Sequence, residues 1–96
     1  VYQGHLFVGD RLLSESGLEN HPLNPMTDAD IRRWLARQSR EPVGLVPWAT
    51  VRQAGAAIRA ALEAAGARGE RLVIVDAISD EDLLAIGDAC VEAKLL

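Results

Sequence analysis

Ninety-six residues, 49% hydrophobic and 25% charged, suit one ordinary globular domain or a piece of one and are incompatible with intrinsic disorder. No apolar run reaches the roughly 18 residues of a membrane-spanning helix and no signal segment opens the chain, so a cytoplasmic setting without a membrane partner is expected. A net charge of −4 without aromatic platforms among the arginines argues against nucleic acid, and the single cysteine, Cys90, excludes a disulfide framework or a thiolate metal site.

The opening Val1-Tyr2-Gln3-Gly4-His5-Leu6-Phe7-Val8 is aromatic and β-branched enough for a strand, and Gly9-Asp10 offers a tight reversal into Arg11-Leu12-Leu13, which predicts a β-hairpin. Residues 14–25 turn to Ser, Glu, Asn, Gly and Pro without periodicity and read as an unusually long loop, a type that often carries function. Three helix starts follow, each resembling a capping box: Thr27 with Asp30, Thr50 with Gln53, and Ser79 with Asp82. Met26 with Ile31, and Ile78 with Leu83, stand at staple positions around two of them.

The first helix is predicted over residues 28–38, because Pro42 disfavours helical geometry just before it. On it Arg33, Arg37 and Arg40 share one stripe, read as a solvated face. The second is predicted over residues 51–65, with Val51, Ala54, Ile58, Ala61, Leu62 and Ala65 as its apolar stripe and Gly66 ending it. Val43-Gly44-Leu45-Val46 and Leu72-Val73-Ile74-Val75 are short continuous apolar runs of the kind buried on both faces of a parallel sheet. Strand, helix and strand over residues 43–75 have the length of one βαβ unit. A third helix, residues 80–95, is expected to turn Leu83, Gly87, Cys90 and Val91 inward. The fold expected is therefore α/β: a partly parallel sheet with a hairpin followed by α-β-α-β-α, a fragment of a larger Rossmann-like domain. A strand pattern at the start, a helix pattern at Lys94-Leu95-Leu96 and too few strands all suggest a fragment.

Ligands of open α/β sheets bind outside the carboxyl ends of the strands. Two places qualify: Asp76, directly after the second run, and the turn Pro47-Trp48-Ala49-Thr50, where free N–H groups at Thr50 could receive a carboxylate. Asp80, Glu81 and Asp82 complement the third helix dipole themselves and would repel an anion. His21, in the long loop beside Glu19 and Asn20, is a candidate hydrogen-bonding or proton-accepting group. His5 reads as a packed structural histidine, Cys90 as a buried inert thiol, and Trp34 and Trp48 as core or interface residues. No ligand spacing supports a metal site, and no phosphate-binding glycine loop is present.

Residues 1–10, then Leu12-Leu13-Ser14-Glu15-Ser16-Gly17 and His21-Pro22-Leu23-Asn24-Pro25-Met26-Thr27-Asp28, resemble the four-carbon acid sugar kinases, and within them the 3-oxo-tetronate 4-kinase branch. Val75-Asp76-Ala77 and Asp82-Leu83 are similar to a strand-to-helix turn of the same domain. The resemblance implies ATP- and Mg2+-dependent transfer of phosphate to the terminal hydroxyl of a four-carbon sugar acid by a two-domain enzyme. Residues 1–96 would be the second half of its N-terminal, sugar-acid-binding domain, without the ATP-binding C-terminal domain. His21, Asp28 and Asp76 would then face the sugar acid. Catalytic, cofactor-binding and metal-binding residues would lie outside these residues, leaving the isolated piece inactive; its partners would be the sugar acid, the remainder of the polypeptide and, in a homodimer, a second copy. The competing reading is a non-catalytic α/β module that binds a small anion or a protein.

Overall fold

The computed structural model describes residues 1–93; Lys94-Leu95-Leu96, placed by the sequence in the third helix, lie outside the described residues. The predicted hairpin forms with short strands, β1 (Phe7–Val8) and β2 (Arg11–Leu12), paired antiparallel with Phe7 opposite Leu12. Gly9 supplies the positive φ of +63° that its tight turn requires. The residues before it do not extend β1. Tyr2 and His5 instead exchange two 3.0 Å backbone hydrogen bonds around Gln3 and Gly4, whose φ values of +53° and +74° are those of a type I′ reversal. The long loop is also less irregular than its composition suggests. Two 3-10 turns, Leu13–Glu15 and Leu18–Asn20, occupy it, and the Met26 N–H closes it onto the Leu18 carbonyl at 3.0 Å.

Helix α1 runs from Ile31 to Ala36 and is capped by Asp30, not by Thr27. Asp30 has extended backbone geometry, and its Oδ1 accepts the Arg32 N–H at 3.0 Å. The Asp30 N–H is held in turn by Asp28 Oδ1 at 2.9 Å, which fixes residues 28–30 as a turn ahead of the helix. The expected staple of Met26 on Ile31 lapses with the displaced cap. Asp30→Ala should therefore cost about 1–2 kcal/mol, while Thr27→Ala should stay within roughly 0.5 kcal/mol. Chemical denaturation giving the reverse order would restore Thr27 as the cap.

Strands β3 (Val43–Val46) and β4 (Leu72–Val75) pair in parallel, Val43 opposite Leu72 and Val46 opposite Val75. The crossover between them is not one helix over residues 51–65 but two, α2 (Trp48–Val51) and α3 (Gly55–Ala67). Pro47 starts α2 earlier than Thr50 could, and Thr50 caps nothing: its own N–H is bonded to the Pro47 carbonyl at 2.9 Å. The break falls at Ala54, at φ +72° and ψ −168°, a region occupied almost only by glycine. Gly66 does not end α3. The left-handed residue is Gly69 at φ +82°, with Glu70 N–H bonded to Ala65 O and Gly69 N–H to Gly66 O, each at 3.0 Å, a Schellman closure.

Helix α4 (Asp80–Ala93) begins as predicted, with Ser79 Oγ accepting the Asp82 N–H at 3.3 Å. Its inner face differs from expectation. Ala89 is buried, with Ala85 and Ile86 packed beside it, whereas Leu83 and Val91 are exposed and Gly87 and Cys90 only half-buried. The core consists of Val46, Val51, Ile58 and Ala89, joined by Ala61, Leu62, Val73 and Val75. Along the strands, Val46, Val73 and Val75 alternate onto the face covered by α3 and α4, while Leu45 and Ile74 on the other face are half-buried. The expectation of strands buried on both faces therefore fails for β4, whose four residues are all partly exposed.

Candidate functional site

The parallel register brings the ends of β3 and β4 side by side, and one residue organises what happens there. Asp76 is completely buried. Its Oδ2 accepts the N–H groups of Gln3 at 2.7 Å and Trp48 at 2.8 Å, its Oδ1 accepts that of Gly4 at 2.9 Å, and its own N–H donates to Val46 O at 3.0 Å. The consecutive positive φ values of Gln3 and Gly4 turn both amides toward one anion, the arrangement of a backbone nest. The Trp48 N–H is the first of α2, so a carboxylate distant in sequence caps that helix. Asp76 thus stands at the strand end, as the sequence placed it, but its oxygens point into the protein.

Asp28 lies in a second polar cluster joined to the first through Gly4. The Gly4 carbonyl accepts the Ile31 N–H at 2.9 Å, and the Arg32 side chain packs so closely that a Cβ at Gly4 would sit 2.8 Å from Nε. Arg33 forks onto Asp28 with two 2.8 Å bonds, and Arg32 onto buried Asp30 at 3.0 and 2.8 Å. The Arg33 guanidinium, followed by the Asp30 N–H, holds the Asp28 carboxyl down at about 2. Arg32 likewise lowers that of Asp30. Of the predicted arginine stripe, Arg33 is therefore paired, and Arg37 lies 4.8 Å over the Trp34 ring. Half-buried His5 stays structural, its Nδ1 2.8 Å from Gln3 O.

His21 stands apart from both clusters, exposed after the second 3-10 turn, beside a pocket of about 120 Å³ lined with Leu18, Asn24 and Met26. Its Nδ1 faces the N–H groups of Asn24 at 3.0 Å and Leu23 at 3.3 Å. Nδ1 must then be the acceptor, and the proton sits on Nε2, available as a donor.

A larger pocket, about 490 Å³, opens beyond the strand ends between α2 and the start of α4; Trp48, Arg52, Ala54, Ser79, Glu81 and Asp82 line it. Trp48 is fixed from two sides, its Nε1 donating to Asp82 Oδ2 at 3.1 Å and its ring meeting Tyr2 edge-on at 6.2 Å. Asp82 Oδ2 also accepts the Ile78 N–H at 2.9 Å, the main cause of its lowered carboxyl pKa. Arg52 lies 5.0 Å over the Trp48 ring. The sequence offers the turn at residues 47–50 as a candidate, sets the acidic turn aside as repelling an anion and does not single out Arg52; the structure brings all three to one pocket. An adjoining groove of about 620 Å³ is more apolar, with Tyr2, Phe7, Ile78 and Leu83 among its walls.

The family described as the sugar-binding N-terminal domain matches residues 1–96. The chain belongs to that family. Over residues 1–96 the chain is 49% identical to a 3-oxo-tetronate kinase of Burkholderia multivorans and 47% identical to one of Cupriavidus necator, covering 22% of each. A solved Haemophilus influenzae protein, 38% identical, superimposes with a TM-score of 0.94 over 99% of this chain and 23% of its own. The resemblance to the 3-oxo-tetronate kinase branch and the α/β fold with hairpin and parallel strands are thereby shown. The domain spans about a fifth of the length of the curated relatives it matches.

Proposed function

We infer that the protein carrying this domain is a cytoplasmic ATP-dependent kinase that phosphorylates the terminal hydroxyl of a four-carbon sugar acid of the 3-oxo-tetronate class, and that this domain holds the acid. The observation that supports the reading is similarity to the 3-oxo-tetronate kinases along the whole chain, in a family described by sugar binding. Phosphoryl transfer needs an in-line nucleophile, a divalent cation on the phosphates and donors for the developing charge. The residues here do not fit the nucleotide part. No phosphate-binding glycine loop occurs, and among the described residues no three His, Cys, Asp or Glu side chains lie together as a metal site. ATP and Mg2+ would belong to other parts of the longer protein.

Within the domain, His21 would offer its Nε2–H only to a ligand in its own pocket of about 120 Å³, apart from the strand ends. Asp28 and Asp76, whose oxygens are engaged by Arg33 and by backbone amides, would shape the site without donating or accepting a proton. An ADP-release assay of the full-length protein with ATP, Mg2+ and a panel of four-carbon acids should show saturable turnover, and residues 1–96 alone should show none. Absence of turnover with every acid would reject the kinase reading in favour of a binding module.

A further inference from the structure

Two opposite charges line the pocket beyond the strand ends without meeting. Arg52 and Glu81 share its wall, yet among the described residues neither side chain makes a hydrogen bond or an ion pair, with the other or with a third group. Arg52 is nevertheless held in place by the Trp48 ring 5.0 Å away, and Trp48 is itself tied to Asp82. A stacked guanidinium loses less freedom on binding than a solvated one and still offers its in-plane N–H fork, which matches a carboxylate. Ala54 lines the same pocket in a glycine-type conformation. The volume of about 490 Å³ falls within the roughly 300–1,000 Å³ of small-molecule sites.

We propose that this pocket is where the sugar acid is oriented: Arg52, stacked on Trp48, forks onto its carboxylate, and Glu81 accepts hydrogen bonds from its hydroxyl groups. The reading rests on the sugar-acid kinase function above and adds the specificity residue that separates an acid from the corresponding neutral polyol. The ligand class follows from the lining: Arg52 is the cation for the anionic end, Glu81 offers an unpaired carboxylate for hydroxyl donors, and the Asp82 carboxylate, which would otherwise add to the repulsion of an anion, is already engaged by Trp48 Nε1 and the Ile78 N–H. An inorganic anion or a nucleotide phosphate would leave Glu81 opposed to it.

The test is calorimetric titration of the full-length protein with erythronate, threonate and neutral erythritol, alongside the ADP-release assay. Wild-type protein should bind an acid at least about tenfold more tightly than erythritol, the margin expected of a charge-assisted fork. Arg52→Gln should lose that preference by weakening acid binding about tenfold or more while leaving erythritol binding unchanged; Arg52→Lys should recover part of it. Glu81→Gln should weaken acid and polyol alike. Arg52 is exposed, so the thermal transition of Arg52→Gln should match wild type. Unaltered acid affinity in Arg52→Gln overturns the assignment even where the kinase reading stands. Acid binding without ADP release overturns the kinase reading and leaves Arg52 to be judged by its own variant. No binding of either acid by wild type overturns both.

Discussion

Asp76→Ala should lower stability by roughly 3–5 kcal/mol, because it leaves three backbone donors, that of Gly4 buried and those of Gln3 and Trp48 part-buried, without their acceptor. Each orphaned donor costs about 1–3 kcal/mol, and the three do not add fully because they share one carboxylate. Asp76→Asn should fall between the alanine variant and wild type. An amide oxygen at the Oδ2 position still serves Gln3 and Trp48, but the amide nitrogen then faces the Gly4 N–H, donor against donor. The loss should reach beyond the strand end, since Gly4 also holds Ile31 and so the start of α1. Chemical denaturation reporting a change below about 1 kcal/mol for Asp76→Ala would mean that the carboxylate does not organise these segments.

Ile58→Ala should cost about 2–5 kcal/mol and Ile58→Val about 0.5–1.5 kcal/mol. Ile58 is fully buried among Val46, Val51 and Ala89, so truncation opens a cavity where strand, short helix and both long helices meet. The neighbours cannot collapse into it easily. Val51 is held by α2, which Asp76 caps, and Ala89 is already as small as a side chain that packs can be. If both variants unfold at the wild-type denaturant midpoint, the core lies elsewhere.

What the sequence revealed depended on the range of the interaction involved. The two parallel strands were legible because continuous runs such as Leu72-Val73-Ile74-Val75 have few other homes, and the start of α4 was legible because Ser79 and Asp82 satisfy each other locally. The start of α1 was misread for a related reason. Asp30 caps it without an acid or amide three residues on, so the box pattern at Thr27 drew the boundary too early. In Arg52-Gln53-Ala54-Gly55 the one helix breaker is Gly55, yet the strained residue is Ala54, between the buried Val51 and Ile58. On α4 the larger residues Leu83 and Val91 suggested the inner face, but both are exposed and Ala85, Ile86 and Ala89 pack against the core instead. Asp76 was recognisable as a strand-end carboxylate. Its partners Gln3 and Gly4, 73 and 72 residues away, were not.

Hydrogen exchange of the full-length protein with and without erythronate or threonate addresses the central claim directly, that a sugar acid is held at the carboxyl ends of β3 and β4. Protection on ligand addition should concentrate in residues 48–55 and 78–82, with the remote turn at Gly69 unchanged. Protection confined to other segments, with residues 48–55 and 78–82 exchanging as in the free protein, would contradict it.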